Sequence, residues 1–261
     1  MSFSGAGVVI TGGGGGIGAA LARRFAAEGA RVVVADLNAG AAEDVAKEVS
    51  GTAFVGDVAT EDGVTRLIAS ARETLGEIDV YCANAGIAPH GGEDTPEDVW
   101  ARAWDVNVMA HVRAAKLLMP LWLERGKGHF IATVSAAGLL TILGSAPYAV
   151  SKHGALAFAE WLSATYRHRG LKVQAVCPQG VRTAMLEDTG PAGDLIMGAS
   201  AIEPVQVADA LFQAIEEDRF LVLPHPEVAG YYAARATQPD RWLGGMNKLQ
   251  RKIEQALGES P

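Results

Sequence analysis

The sequence predicts an α/β protein, a doubly wound sheet of about seven parallel strands flanked by helices, on three observations. Short β-branched runs alternate with helix-length amphipathic stretches, the pattern of βαβ units feeding a parallel sheet. A glycine-rich stretch, Thr11 to Gly18, follows the first such run and opens the first helical one. The length, 261 residues at 49% hydrophobic, suits one well-buried α/β domain spanning residues 1–261 and is short for two.

Val8 to Thr11 reads as the first strand, and the helix after the glycines runs from Ile17 to Glu28, closing on Gly29 as a C′ residue. Arg31 to Asp36 is the second strand and Ala53 to Val55 a short third. A helix from about Thr60 to Leu75 again closes on a glycine, Gly76. Asp79 to Ala83 is strand four. Thr95-Pro96-Glu97-Asp98 signals a helix start, with Thr95 as N-cap, Pro96 at the first helical position and an acidic residue three past the cap. That helix is expected to run long, to about Glu124. His129 to Val134 is strand five, a helix begins near Tyr148, and Leu171 to Cys177 and Phe220 to Leu223 complete the strands. The weakly patterned stretch from Thr183 to Glu203 is the candidate for a loop over a site, with 184–203 as its substrate-facing part.

A formal net charge of -8 argues against nucleic acid and against an anionic membrane surface, which are bound through clustered Lys and Arg. A small-molecule partner is expected. Cys82 and Cys177 lie in or beside apolar runs, read as reduced structural residues, and the N-terminus enters a strand with no basic or cleavable leader; both suit a cytoplasmic protein. Phe130 to Val150 carries no charge over nearly the length of a membrane span. Its Thr, Ser, Pro and Gly residues favour a buried strand and a site loop instead.

The glycine turn has a physical reason. Backbone N–H groups of Gly12, Gly14, Gly15, Gly16 and Gly18 must approach a pyrophosphate without a Cβ in the way, with the Ile17 N–H beside them, at the positive end of a helix. Asp36 ends strand two, eighteen residues past Gly18, where a carboxylate accepts hydrogen bonds from ribose hydroxyls and repels a 2′-phosphate. Its neighbours Leu37 and Asn38 offer no compensating positive charge, so the expected cofactor is NAD.

Ser135, then Tyr148 thirteen positions on, then Lys152 four beyond, resembles the active site of the single-domain short-chain dehydrogenases/reductases, with their Rossmann-type sheet. The resemblance spans most of the chain. Thr11 to Gly18 is similar to the family's glycine turn, Asp57-Val58 to its adenine-contacting pair, and Asn84-Ala85-Gly86 to its Asn-Ala-Gly motif. Asn107 falls at the family's catalytic asparagine, and Pro178, Gly180, Val181 and Thr183 lie in the segment beneath the nicotinamide. The implied activity is NAD(H)-dependent interconversion of a secondary alcohol and its ketone. Tyr148 is the implied acid/base, Ser135 orients the substrate oxygen, and Asn107 holds a relaying water. Lys152, one helical turn from Tyr148, is expected to lower the phenol's pKa and to hold the ribose. A homotetramer, packed through the long central helices, is implied too. No metal site is expected.

Several positions keep two readings. Asn84 either contacts cofactor or steadies the central strands. Asp57 either contacts adenine or caps a helix. Gln179 stands where the family has glycine: it lines a substrate pocket, or the glycine has simply shifted to Gly180. Leu140, Leu143 and Met185, with Leu139, Leu186, Ile196 and Met197, form an apolar pocket for an apolar or aryl-alkyl alcohol, or pack as core. His90 reaches the pocket mouth or sits on the surface, and Arg182 makes a surface ion pair or lies beside the nicotinamide. The aromatic tail from 224 to 261 is expected to dock on a neighbouring subunit. The competing functions are a catalytically silent NAD-sensing protein, disfavoured because all four catalytic residue types are retained, and an enoyl-thioester reductase or epimerase, disfavoured by spacing and length.

Overall fold

A computed structural model of the protein describes residues 2–188 and 200–257. Seven strands form one parallel sheet in the order β3-β2-β1-β4-β5-β6-β7. They are β1 Gly7–Thr11, β2 Arg31–Asp36, β3 Thr52–Val55, β4 Val80–Ala83, β5 Gly128–Thr133, β6 Leu171–Val176 and β7 Leu221–Val222. The order reverses between β1 and β4, which places a crevice at the carboxyl ends of those strands. Because both faces are covered, the central strands are mostly apolar, and alternate residues serve opposite layers. Val9 joins Leu67, Leu118, Trp122 and Phe130 on one face, under α3 (Glu61–Leu75), α5 (Ala110–Arg125) and α6 (Ala146–Tyr166). Val8 and Ile10 join Phe25, Val45 and Phe212 on the other, under α1 (Gly16–Ala27), α2 (Ala39–Glu48) and α8 (Pro204–Glu216).

Three local features depart from the sequence expectations. Thr95 is not the N-cap: Pro96 takes that place with φ −53° and ψ 143°, and α4 begins at Glu97. The ring fixes φ without demanding an extended or a helical ψ, so proline serves outside the helix as well as within its first turn. The long helix is also not continuous. It is α4 (Glu97–Trp104), a π-turn over Asp105–Met109 and then α5, the Ala110 N–H reaching back five residues to the Asp105 carbonyl. The helices α2 and α8 were not singled out in the sequence, although each carries a start signal: the Asn38 side chain accepts from the Ala41 N–H at 3.1 Å, and Glu203 with Gln206 forms a capping box ahead of Pro204.

The C-terminal tail folds as α9 (Glu227–Thr237) and α10 (Pro239–Leu257), after the short α7 (Ala184–Glu187). Part of its cover comes from its own chain. Val228 is fully buried, Trp242 packs on the core, and Arg235 donates to the Leu139 carbonyl. Tyr231, Tyr232 and Leu243 stay exposed. Cys82 and Cys177 are buried free thiols, raised by burial well above the ordinary range. Among the described residues no helix is long and apolar enough to cross a membrane.

Candidate functional site

A cavity of about 420 Å³ opens at the carboxyl ends of β1, β4, β5 and β6. On one side Gly12, Gly15, Gly16 and Ile17 line it where β1 turns into α1. No side chain caps α1, so its first-turn N–H groups are left for an anion. The turn admits no larger residue at its tight points: a Cβ on Gly18 would lie 2.0 Å from the Gly12 carbonyl oxygen, and one on Gly12 2.9 Å from the Ala85 Cα. Gly16, at φ +50°, faces Thr183 across the cavity, where a Cβ would meet its methyl at 2.8 Å.

Asp36 lines the cavity at the end of β2. One carboxylate oxygen accepts from the Gly14 N–H at 2.9 Å and the other from the Asn38 N–H at 3.0 Å. The carboxylate is thereby fixed at the rim of the glycine turn. Leu37 points to solvent, 62% exposed, and does not line the cavity. The set fits a dinucleotide, with an N–H-rich turn for the pyrophosphate and one carboxylate for a ribose.

Asn84 lines the same cavity while serving as a strand tie. Its Nδ2 donates to the Thr11 and Gly12 carbonyls at 3.0 and 3.2 Å, and its Oδ1 accepts from the Thr133 hydroxyl at 2.9 Å. The Thr11 hydroxyl accepts from the backbone N–H groups of Asn84 and Ala85, both at 3.0 Å. Asp57 and Val58 do not line the cavity. Asp57 accepts from the Ala59 N–H at 2.9 Å and pairs with Arg102 at 3.1 Å, and Val58 packs in the core.

Ser135, Tyr148 and Lys152 meet at the inner end of the cavity. Ser135 follows β5, its hydroxyl accepting from the Ala137 N–H at 3.1 Å. Pro147 in the first turn of α6 fixes the approach to Tyr148, and Lys152 lies one turn on. Burial raises the Tyr148 phenol above its ordinary value, and a hydrogen bond with Ser135 acts in the opposite direction. Lys152 stands over the Tyr148 ring. Its Nζ lies 5.7 Å from the phenol ring centroid and donates to the Thr133 carbonyl at 2.9 Å. Burial pushes the lysine itself down to about 8.

Asn107 sits in the π-turn, fully buried, and its side chain is spent on the protein. Nδ2 donates to the Ile87 carbonyl and the Ser151 hydroxyl, each at 2.9 Å, and Oδ1 accepts from the Ile87 N–H at 3.0 Å. Gly86 sits between it and Lys152: a Cβ there would lie 3.1 Å from Asn107 Oδ1 and 3.3 Å from Lys152 Nζ.

Part of the cavity lining is apolar. Ile142, Leu143, Met185 and Leu186 line it, with Ala85, Ala88 and Ala184. Leu140 does not: it is 6% exposed and belongs with Leu139 to the core beneath. Ile196 and Met197, and most of the 184–203 segment, lie outside the described residues. Pro178, Gln179, Gly180, Val181 and Thr183 form the floor after β6. His90 lines the mouth, its Nδ1 3.2 Å from the Ser145 hydroxyl. Arg182 makes an exposed ion pair with Glu203 at 3.2 Å. No group of three or more metal-ligating side chains occurs among the described residues. Sequence reasoning did not single out Thr133, Ser151 and His225, the hydrogen-bond partners of Asn84, Asn107 and Gln179. Only their neighbours carry a recognisable pattern.

The family model described as short chain dehydrogenase matches residues 6–193. The 1-deoxy-11-beta-hydroxypentalenate dehydrogenase of Streptomyces exfoliatus is 38% identical over 229 residues, covering 84% of this chain and 82% of its own. Human epidermal retinol dehydrogenase 2 is 30% identical, covering 83% of this chain and 73% of its own. Among solved structures, a short-chain dehydrogenase/reductase from Burkholderia phymatum in complex with NAD superposes with a TM-score of 0.84 at 27% identity, covering 92% of this chain and 96% of that one.

Proposed function

Because the chain belongs to the short-chain dehydrogenase/reductase family, we propose that it is an NAD(H)-dependent oxidoreductase interconverting a secondary alcohol and its ketone. The convergence of Ser135, Tyr148 and Lys152 at the inner end of a cavity whose opposite wall is the glycine turn carries this reading. Nicotinamide, when bound, supplies or accepts the hydride. The protein's own residues manage the oxygen. Ser135 holds the substrate hydroxyl or carbonyl oxygen beside the Tyr148 phenol, and Tyr148 takes or returns the proton there. Among the described residues lining the cavity, Lys152 is the one lysine or arginine, placed to hold ribose hydroxyls and pass the proton on. Asn107 braces this end through Ile87 and Ser151, and in this reading its Oδ1, which faces Gly86 together with Lys152 Nζ, holds the relaying water.

Asp36 supports NAD over its 2′-phosphate, since a carboxylate already bonded to two backbone N–H groups faces that position with a negative charge. Leu143, Ile142, Met185 and Leu186 support an apolar or aryl-alkyl substrate, and the relatives' names cite a hydroxypentalenate and retinol. A single domain forming a homotetramer through the α4–α6 face is part of the proposal, supported by the exposed Trp104, Val150 and Trp161 on those helices. Buried free thiols suit the reducing cytoplasm.

The test monitors NADH absorbance with NAD+ or NADP+ and a panel of aryl-alkyl, aliphatic, steroid and polyol alcohols. Turnover with NAD+ is expected, and Tyr148→Phe should lower kcat by about 10²–10⁴-fold while NADH still binds. NADH binding with no turnover on any alcohol overturns the reading in favour of a sensing protein.

A further inference from the structure

His225 lies in the turn after β7, 3% exposed, remote in sequence from every motif of the site. Both of its ring nitrogens are engaged. Nδ1 accepts from the Gln179 N–H at 3.1 Å, and Nε2 faces the Ser200 carbonyl at 3.2 Å. A backbone N–H can only donate and a carbonyl can only accept, so Nε2 must carry the hydrogen. The two contacts thus select one tautomer of the ring.

Its two partners stand where two backbone segments run side by side. The Ile202 N–H donates to the Gly180 carbonyl at 3.1 Å, and the Arg182 N–H donates to the Ile202 carbonyl at 2.9 Å. The Pro178 carbonyl accepts from the Ala136 N–H at 2.8 Å, tying the floor to the residue after Ser135. The Pro178 carbonyl and the Gln179 N–H belong to one peptide group, which is therefore held on both sides, by Ala136 and by His225, while the Gly180 carbonyl further along the floor is held by Ile202. Proline has no N–H, which makes the Gln179 N–H the first donor the floor offers. Gln179 lines the cavity, and the His225 bond, together with the Ala136 bond on the other edge of the same peptide group, sets the plane from which its side chain departs.

We propose that His225 is a positioning residue that fixes the peptide of Gln179, and through it the substrate-facing placement of the Gln179 carboxamide. The inference rests on the reading of the cavity as an alcohol and dinucleotide site. It acts on substrate recognition and leaves the proton transfer at Tyr148 and the glycine turn untouched.

Three replacements separate the two ring contacts. In His225→Asn the carboxamide oxygen takes the place of Nδ1, keeping the acceptor for Gln179 and losing the reach to Ser200. In His225→Gln the longer side chain reaches toward Ser200 and forfeits the nearer acceptor. His225→Phe fills the space and makes neither bond. The alcohol KM is expected to rise about tenfold in His225→Phe and His225→Gln, as for loss of one hydrogen bond, with kcat and the NADH Kd within about twofold. His225→Asn should restore the KM. Adding Gln179→Ala to His225→Phe should have little further effect on KM, since the two residues act through one another.

Amide hydrogen exchange of the peptide containing Gln179 is measured in parallel with no substrate present, so that failure of the alcohol reading leaves this arm standing. Faster exchange in His225→Phe and His225→Gln, with protection kept in His225→Asn, is the expected result. The proposal is overturned if a folded His225→Phe protein keeps both exchange and KM, if His225→Asn is no better than His225→Phe, or if kcat falls with KM unchanged. Should His225→Phe fail to fold, the Asn and Gln variants decide the question by the same difference.

Discussion

Replacing Asn84 distinguishes a strand tie from a cofactor contact. The side chain makes three hydrogen bonds, to the Thr11 and Gly12 carbonyls and from the Thr133 hydroxyl, and so joins the ends of β1, β4 and β5. At about 1 kcal/mol net for each, Asn84→Ala should lose roughly 2–4 kcal/mol, a large part of the stability of an ordinary domain but not all of it. Asn84→Asp keeps the shape and turns the donor toward two carbonyl oxygens into a third acceptor. A carboxylate there is destabilised relative to its protonated form, so its folded pKa rises above the unfolded value. The sign is then determined: the variant recovers stability as pH falls through the raised pKa, because the native state then binds more protons than the unfolded chain. Urea denaturation at pH 7.5 and 5.5 should therefore show Asn84→Asp gaining on Asn84→Ala at the lower pH. NADH titration by fluorescence supplies the second axis. A loss of under about 1 kcal/mol in Asn84→Ala, with NADH affinity reduced more than tenfold, would refute the strand-tie reasoning.

Two further outcomes are expected. In Asp36→Asn the charge that faces a 2′-phosphate is removed and one of the two acceptors for a backbone N–H becomes a donor, so NAD+ affinity should fall about tenfold while NADP+ gains relative to it; an unchanged cofactor ratio in fluorescence titrations counts against Asp36 as the selector. His111 is 1% exposed, neither ring nitrogen has a hydrogen-bond partner among the described residues, and burial with the nearby Lys152 charge pushes it down to about 3. Below pH 6.5 the unfolded chain takes up a proton that the native ring refuses, so stability falls as pH falls, by about 2 kcal/mol between pH 7.5 and 5. His111→Phe should remove that portion of the acid loss, leaving the part due to His129, which burial holds at about 4; an unaltered pH slope in urea melts contradicts it.

Features marked by a period or a motif are legible in the sequence. The strands β1, β2 and β5 have apolar centres because both faces are covered, and the glycine turn betrays itself by a composition that few other structures need. The π-turn at Asp105–Met109 could not be read, because a single extra residue in a helix leaves the amphipathic pattern on either side nearly intact. The α2 helix is alanine-rich with only Ala42, Val45 and Ala46 buried, too faint a stripe to stand out, and its Asn38 cap reads equally well as a turn. In the site, Leu140 and Leu143 are indistinguishable as letters, and only the 3-10 turn after Ser135 sends one to the core and the other to the cavity. Tyr148 and Lys152 are adjacent as helical spacing requires, yet spacing gave no sign that the Thr133 carbonyl would hold the ammonium. Long-range partners of this kind have no local signature.

The strand order has a consequence for how the chain comes off the ribosome. Every neighbouring pair in this sheet is parallel, so no strand meets its partner through a hairpin and each pairing awaits a crossover. The pivotal one is β1 with β4, where Val8 lies beside Val80, a separation of 72 positions (80 minus 8). Until the polypeptide past Ala83 has emerged, β1 can pair only with β2, and its other edge stays open to any strand that drifts by. Closing so long a loop is entropically costly and kinetically slow, and the exposed edge in that interval is Val8-Val9-Ile10, among the most apolar segments of the protein. Nascent chains stalled between residues 40 and 80 should accordingly be the species most inclined to associate with one another or to recruit a chaperone.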